Sequence, residues 1–256
     1  VRRSSKPIPV PDGVNMILFK KILMISKIIF IFFYTILLSL TAGIGLLFKE
    51  GDKKYFFFAR HWARFTLKVF GIKVNMLGLE KISNSEGLIY VANHASMFDI
   101  WVLQANLPGQ LRFIGKKEIN KIPIFGWIWK YSGNIPIDRK NPKAFLRSLQ
   151  RAAETIKSGR CIIIYPEGTR TRDGRIQPFK RGTFSVAFTA KAKIIPVTIN
   201  GSYSILKKGS IAINPGTIDV IIHEAIEPDY NNMSKNKQLE ILNQVQDTVA
   251  RAYIDQ

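Results

Sequence analysis

The chain has 256 residues, 46% of them hydrophobic, which is enough for one large domain with its own core plus an accessory segment. Thirty-eight Lys plus Arg against 18 Asp plus Glu give a formal net charge of +20, so the partners to look for are anionic: nucleic acid, anionic lipid or phosphorylated substrates. A single cysteine, Cys161, excludes an internal disulfide, and the three histidines, His61, His94 and His223, lie too far apart in sequence to suggest a metal-ligand set.

Residues 1–15 hold three prolines and no apolar periodicity, and the first methionine is Met16. They are expected to be a flexible leader or a vector scar outside the fold. The stretch from Ile28 to Phe48 then carries no charge over 21 residues. As a helix it is about 31 Å long, enough to cross a hydrocarbon layer. Its flanks argue against a simple span. Lys20, Lys21 and Lys27 precede it and Lys49, Lys53 and Lys54 follow, so the positive-inside bias places both ends on one side. Gly51-Asp52 is expected to turn the chain. From Tyr55 to Phe70, Arg60, Arg64 and Lys68 form a basic stripe at helical spacing beside Phe58, Trp62, Phe65, Leu67 and Phe70. That pattern suits a helix at a headgroup boundary, although a surface helix packed on a soluble core has the same signature. The segment 16–70 is therefore expected to be a membrane-embedded helical hairpin, with residues 71–256 forming an α/β domain.

Within that domain, strands are expected at 72–77, 88–92, 111–114, 134–137, 161–165, 194–199, 210–214 and 218–223. Helices are expected at 97–105, 124–131, 143–158, 181–191 and 235–253. The alternation implies a mixed sheet flanked by helices. Cys161 opens an apolar run and reads as a core residue.

Chemistry-bearing residues cluster where these strands end. His94 follows an apolar strand and Asp99 comes five residues later. Within one helix that spacing leaves the two side chains roughly 140° apart. They meet only if His94 sits in a loop and Asp99 in the first helical turn, where the carboxylate orients the imidazole as a general base. Ser96-x-x-Asp99 is equally a helix capping box. A second cluster, Tyr165-Pro166-Glu167-Gly168-Thr169-Arg170, ends another apolar strand with glycine amide, hydroxyl and guanidinium groups suited to a phosphate, or else with an ordinary solvated turn. Gly133-Asn134-Ile135-Pro136-Ile137-Asp138-Arg139 is a short strand ending in a cation, and Lys116, Lys180 and Arg181 also stand at element ends.

Taken in order, Asn-His-x4-Asp, Gly-x-Ile-x-Ile-Asp-Arg, Pro-Glu-Gly-Thr-Arg and the apolar-Pro-Val run at 194–197 resemble the glycerolipid acyltransferase family, closest to its 1-acyl-glycerol-3-phosphate acyltransferases. The resemblance covers roughly residues 71–200. It implies a membrane enzyme that moves an acyl group from acyl-CoA or acyl carrier protein to the sn-2 hydroxyl of lysophosphatidic acid, or alternatively to glycerol 3-phosphate or another lysophospholipid. It implies His94 and Asp99 as the catalytic pair. Glu167, Gly168, Thr169 and Arg170 would bind the phosphate-bearing acceptor, assisted by Arg139. Lys116, Lys180 and Arg181 are added on charge and position. No cofactor or metal is implied. Tyr165 stands where the family often has Phe, Pro136 interrupts the second motif, and Thr171 stands where Ser is frequent. The sequence lacks a Gly-x-Ser-x-Gly elbow, so direct transfer is favoured over an acyl-enzyme. The expected site of action is the cytoplasmic or inner membrane, with the catalytic domain on the cytoplasmic face and anionic lipid as a partner. Nucleic-acid binding explains the charge but not the uncharged run, and a hydrolase has no use for a phosphate loop.

Overall fold

A computed structural model describes residues 13–46, 51–82, 86–138 and 140–255. The expected leader, 1–15, lies almost wholly outside them, as does Arg139. Seven strands form one sheet in the order β1 (Ile72–Leu77), β7 (Gly216–Ile222), β6 (Lys193–Asn200), β2 (Leu88–Ala92), β5 (Cys161–Ile164), β3 (Leu111–Lys116) and β4 (Ile135–Ile137). Neighbours run parallel except β6 and β7, which are antiparallel. The sheet is mixed, as expected.

The central strands read as unbroken apolar runs because both their faces are covered. In β2, Leu88, Tyr90 and Ala92 face one core layer and Ile89 and Val91 the other; in β5, Cys161 and Ile163 face the first layer, Ile162 and Ile164 the second. A period of two thus divides each strand between layers. The first layer lies under α2 (Gly51–Phe70) and α3 (Phe98–Asn106). The second lies under α5 (Pro142–Lys157), α6 (Arg181–Ala190) and α8 (Lys235–Arg251), whose Leu242, Val245 and Val249 are the buried stripe.

The strand expected at 210–214 does not form. Ile213 is buried but Ile211 is 77% exposed, so the alternation has only one inward residue to reward pairing. Asn214 instead donates its N–H to Ile205 O and its Nδ2 to Ser204 O, tying the segment to the four-residue helix α7 (Ser202–Ile205). That helix had no signal of its own. It opens at Gly201, whose φ of +87° and whose Cβ position, 2.3 Å from Thr217 O, admit only glycine.

At the amino end, α1 (Gly13–Leu46) is one continuous helix of 34 residues, about 51 Å long. It runs antiparallel to α2, with Trp62 Nε1 donating to Thr35 Oγ1 at 2.9 Å and Phe65 packing on Tyr34 and Phe30. Gly51-Asp52, expected to be the turn, opens α2 instead; the link at 47–50 lies outside the described residues. The stretch Met16–Ile44 is long and apolar enough to cross a membrane, and only 11% of its most apolar window is buried. Phe19, Phe32 and Phe33 remain 60–65% exposed. A buried core helix is thereby excluded for this segment.

The basic stripe on α2 has a different employment from the one expected. Arg60 Nη2 donates to Leu107 O and Arg64 Nε to Ala105 O at 3.2 Å, so both guanidinium groups satisfy carbonyls at the C-terminal end of α3. Those carbonyls lack intrahelical partners and carry the negative end of the helix dipole, which draws the cations inward. Arg64 and Lys68 both stay exposed, and Lys68 alone of the three lacks such a contact among the described residues.

Candidate active site

Strand order creates the site. β2 and β5 are parallel neighbours, with Val91 opposite Ile164, so the chain leaving each strand emerges on the same edge. Ligand sites in such sheets gather at carboxyl ends. His94 leaves β2 two residues beyond its last ladder position, and Pro166 to Arg170 leave β5 beside it.

The loop before α3 is held from several directions. The buried Asn93 side chain accepts from Ile199 N at 2.7 Å and donates to Ile199 O at 2.9 Å, extending the β2–β6 ladder through a side chain. His94 N donates to Glu167 Oε1 at 2.5 Å, and Thr171 N donates to His94 O at 3.0 Å. Both polar groups of the His94 backbone are therefore tied to the neighbouring loop.

His94 Nδ1 lies 2.8 Å from Asp99 Oδ2, with the imidazole 14% exposed and the carboxylate fully buried. The same oxygen accepts from Ala95 N and Ser96 N, each at 2.8 Å. Three donors converging on one oxygen compensate the burial of its charge. Asp99 sits in the first turn of α3, and its Oδ2 reaches back to the backbone N–H groups just ahead of the helix. The two readings of Asp99 are thus one geometry: reaching back to Ser96 N brings its oxygen to the imidazole. With Nδ1–H donated to Asp99, Nε2 carries the lone pair and is the ring's basic atom. Tyr165 stacks on the imidazole at 4.0 Å between centroids and 17° between planes. Burial holds the Tyr165 hydroxyl well above its ordinary pKa, so the ring stays neutral beside the imidazole. Sequence reasoning registered Tyr165 only as a departure from the usual Phe; the stack depends on two strand ends meeting.

Glu167 is 1% exposed. Oε1 accepts from His94 N and Oε2 from Gln177 N at 2.9 Å, so the carboxyl joins the His94 loop to the far end of its own loop instead of pointing at an acceptor. Burial pushes its pKa up, against the pull of these two backbone hydrogen bonds, to about 7. Gly168 turns the loop at φ +75°, donating its N–H to Tyr165 O at 2.9 Å. Thr169 is exposed and Arg170 half-buried.

Cations surround this loop. Lys180 N donates to Pro166 O at 2.9 Å, and the Lys180 charge acts on Glu167. Lys116 ends β3, the neighbour of β5. Its sequence neighbour Lys117 is engaged elsewhere, 2.7 Å from Asp138 Oδ2. Arg181 is exposed in the first turn of α6, and no hydrogen bond or ion pair among the described residues ties it to the loop. Lys208, absent from the expected set, donates to Thr169 Oγ1 at 2.7 Å and to Arg170 O at 3.1 Å. Among the described residues no group of three or more His, Cys, Asp or Glu side chains is placed to hold a metal ion.

A family profile described as Acyltransferase matches residues 73–200. The chain is 36% identical over 197 residues to the chloroplastic 1-acyl-sn-glycerol-3-phosphate acyltransferase LPAT1 of Arabidopsis thaliana, covering 76% of this chain and 55% of that one. It is 33% identical over 182 residues to a 1-acyl-sn-glycerol-3-phosphate acyltransferase of Pseudomonas aeruginosa, covering 69% of each. The chain thus spans little more than half the length of the plant relative. The crystal structure of the 1-acyl-sn-glycerophosphate (LPA) acyltransferase PlsC from Thermotoga maritima matches with a TM-score of 0.78 at 26% identity, over 91% of this chain and 94% of that one.

Proposed function

This chain belongs to the acyltransferase family, and from that premise we propose that it acylates the sn-2 hydroxyl of 1-acyl-glycerol 3-phosphate, forming phosphatidic acid. The observation that carries this reading is the His94–Asp99 contact of 2.8 Å beside a cation-lined loop. A base and an anion site on one edge suit an alcohol substrate that bears a phosphate. The named relatives act on the same acceptor, to judge by their names.

In this mechanism the acceptor's phosphate lies on the loop at 166–170, with Arg170, Lys116 and Lys180 supplying charge. Its hydroxyl approaches His94 Nε2, which takes the proton while Asp99 stabilises the imidazolium. The oxygen attacks the thioester carbonyl of acyl-CoA or acyl carrier protein and a tetrahedral intermediate forms. When it collapses the C–S bond breaks, and His94 returns the proton to the departing thiolate, so no proton is gained or lost overall. Glu167 contributes by fixing the separation between base and phosphate loop. The exposed apolar face of α1 seats the protein in one leaflet of the cytoplasmic membrane, where a one-chain acceptor already resides.

The test uses the full chain in lipid–detergent micelles with radiolabelled acyl-CoA or acyl carrier protein and four acceptors: 1-acyl-glycerol 3-phosphate, glycerol 3-phosphate, 1-acyl-glycerol and 1-acyl-glycerophosphocholine. Phosphatidic acid as the dominant product is expected. Equal transfer to 1-acyl-glycerol overturns the phosphate role, and preferential transfer to glycerol 3-phosphate reassigns the acceptor. Arg170→Ala should weaken the acceptor's apparent affinity by about ten- to a hundredfold, as for loss of a charge-assisted bond, with the donor's affinity unchanged. A weakening for the donor alone places the carrier's phosphates on this loop instead.

A further inference from the structure

Four parallel strands stand side by side in the order β6, β2, β5, β3, so four carboxyl ends share one edge. Three of them carry the groups already described: His94 after β2, the loop 166–170 after β5, and Lys116 ending β3. The fourth, after β6, carries Lys208, eight residues past the end of the matched family region.

Lys208 reaches across the end of β2 to the loop that follows β5, with its ammonium on Thr169 Oγ1 and Arg170 O. The segment that carries it is pinned on both sides: Ser96 Oγ donates to Leu206 O at 2.9 Å, and Tyr203 OH donates to Arg172 O at 2.8 Å. No carboxylate forms an ion pair with Lys208 among the described residues. Its surroundings are cationic instead. Desolvation first, then the charges of Arg172, Arg170, Lys116 and Lys180, push its pKa down. Glu167, the buried carboxyl under the loop, is engaged with backbone N–H groups. Five like charges with no ion-pair partner among the described residues are mutually repulsive, and a multivalent anion is the ligand that relieves the repulsion.

We propose that Lys208 is a phosphate ligand of the acceptor site, and that its charge selects a doubly charged phosphomonoester over a singly charged phosphodiester headgroup. The proposal rests on the reading of the loop as the acceptor's phosphate site. On binding, the ammonium turns from Arg170 O toward a phosphate oxygen while keeping Thr169. The competing role, a strut that merely holds the loop, requires the hydrogen bonds but not the charge.

Lys208→Gln keeps a donor and removes the charge; Lys208→Met removes both; Lys208→Arg keeps both. Each full-length variant is assayed by steady-state kinetics with the lysophosphatidic acceptor varied and then with acyl-CoA varied, which gives a separate KM for each substrate. Each is also titrated calorimetrically with glycerol 3-phosphate, inorganic phosphate and glycerophosphocholine, and its thermal midpoint is measured to confirm folding. The Gln and Met variants are expected to raise the acceptor KM about ten- to a hundredfold, to weaken binding of glycerol 3-phosphate and inorganic phosphate in parallel, and to leave kcat and the donor KM within about twofold. The Arg variant should stay near wild type, and glycerophosphocholine should bind weakly to all. Unchanged acceptor affinity in the Met variant, or a Gln variant that behaves as wild type while the Met variant fails, overturns the proposal. The titration separates the two claims. Phosphate binding that needs Lys208 in a protein making no phosphatidic acid upholds the proposal and defeats the functional reading. Turnover with Lys208-independent affinity does the opposite.

Discussion

The Nδ1–Oδ2 contact between His94 and Asp99 decides which imidazole nitrogen is available. Asp99 is buried and held by two further backbone donors, so it cannot swing away without leaving the Ala95 and Ser96 N–H groups unpaired. His94→Ala should therefore lower turnover about a thousandfold, as for loss of a positioned general base, with membrane binding and thermal midpoint unchanged. Near-normal turnover in that variant removes the dyad from the mechanism. Glu167 makes a separate prediction. Its folded pKa is raised from 4.5 to about 7 by burial. The folded state therefore holds its proton more tightly than the unfolded chain does. Stability from this group is fully present below about pH 4.5 and is lost as pH rises through about 7, at a slope of up to about 1.4 kcal/mol per pH unit. Urea unfolding of wild type and Glu167→Gln between pH 4 and 8 should show a difference that narrows as pH rises, because only the wild type carries this slope. A pH-independent difference would show that folding leaves the pKa of this carboxyl at its unfolded value.

Among elements, α2 does most to join α1 to the α/β domain. One side grips α1 through Trp62 and Phe65; another caps α3 through Arg60 and Arg64. Because α3 begins with Asp99 in its first turn, the cations on α2 fasten one end of the helix whose other end carries the dyad. The proposed seating of α1 in one leaflet predicts that both ends of the segment 16–70 lie on the cytoplasmic face. Leu18→Cys, made in a Cys161→Ala background, reports on this in sealed right-side-out membranes. Position 18 should resist an impermeant maleimide until detergent is added. Labelling of intact membranes would instead mean that α1 spans the bilayer with its amino end outside.

For the whole molecule, the proposed membrane seating has two independent sources to draw on, the net charge of +20 and the uncovered face of α1. Electrostatic attraction is screened within about 10 Å at 0.1 M salt, whereas apolar burial is not. Sedimentation with anionic vesicles should weaken as salt rises from about 50 to 500 mM but level off above zero. The residual should match the binding to zwitterionic vesicles. Complete release at high salt would mean that α1 does not insert.

Periodicity and composition by themselves determined the α/β architecture, all seven strands to within about two residues, with one further expected strand that does not form, and the uncharged amino-terminal helix. Each of these depends on local patterning: a strand covered on both faces must be apolar throughout, as Cys161 to Ile164 is. The motif order likewise marked His94, Asp99 and the 166–170 loop, because loop chemistry is compact in sequence. Tertiary structure decided what lies between elements. Arg60 and Arg64 read as headgroup ligands until the carbonyl end of α3 was placed beside them. Ser210 to Asn214 alternates like a strand but pairs with none, its last residue being tied to α7. Glu167 looked like a substrate ligand and is a tie between loops. Lys208 is 38 residues from Arg170, and only the parallel order β6-β2-β5 brings its ammonium to that loop. A hydrogen bond or charge contact across that separation leaves no periodic trace in the sequence, because its range is set by distance in space and not along the chain.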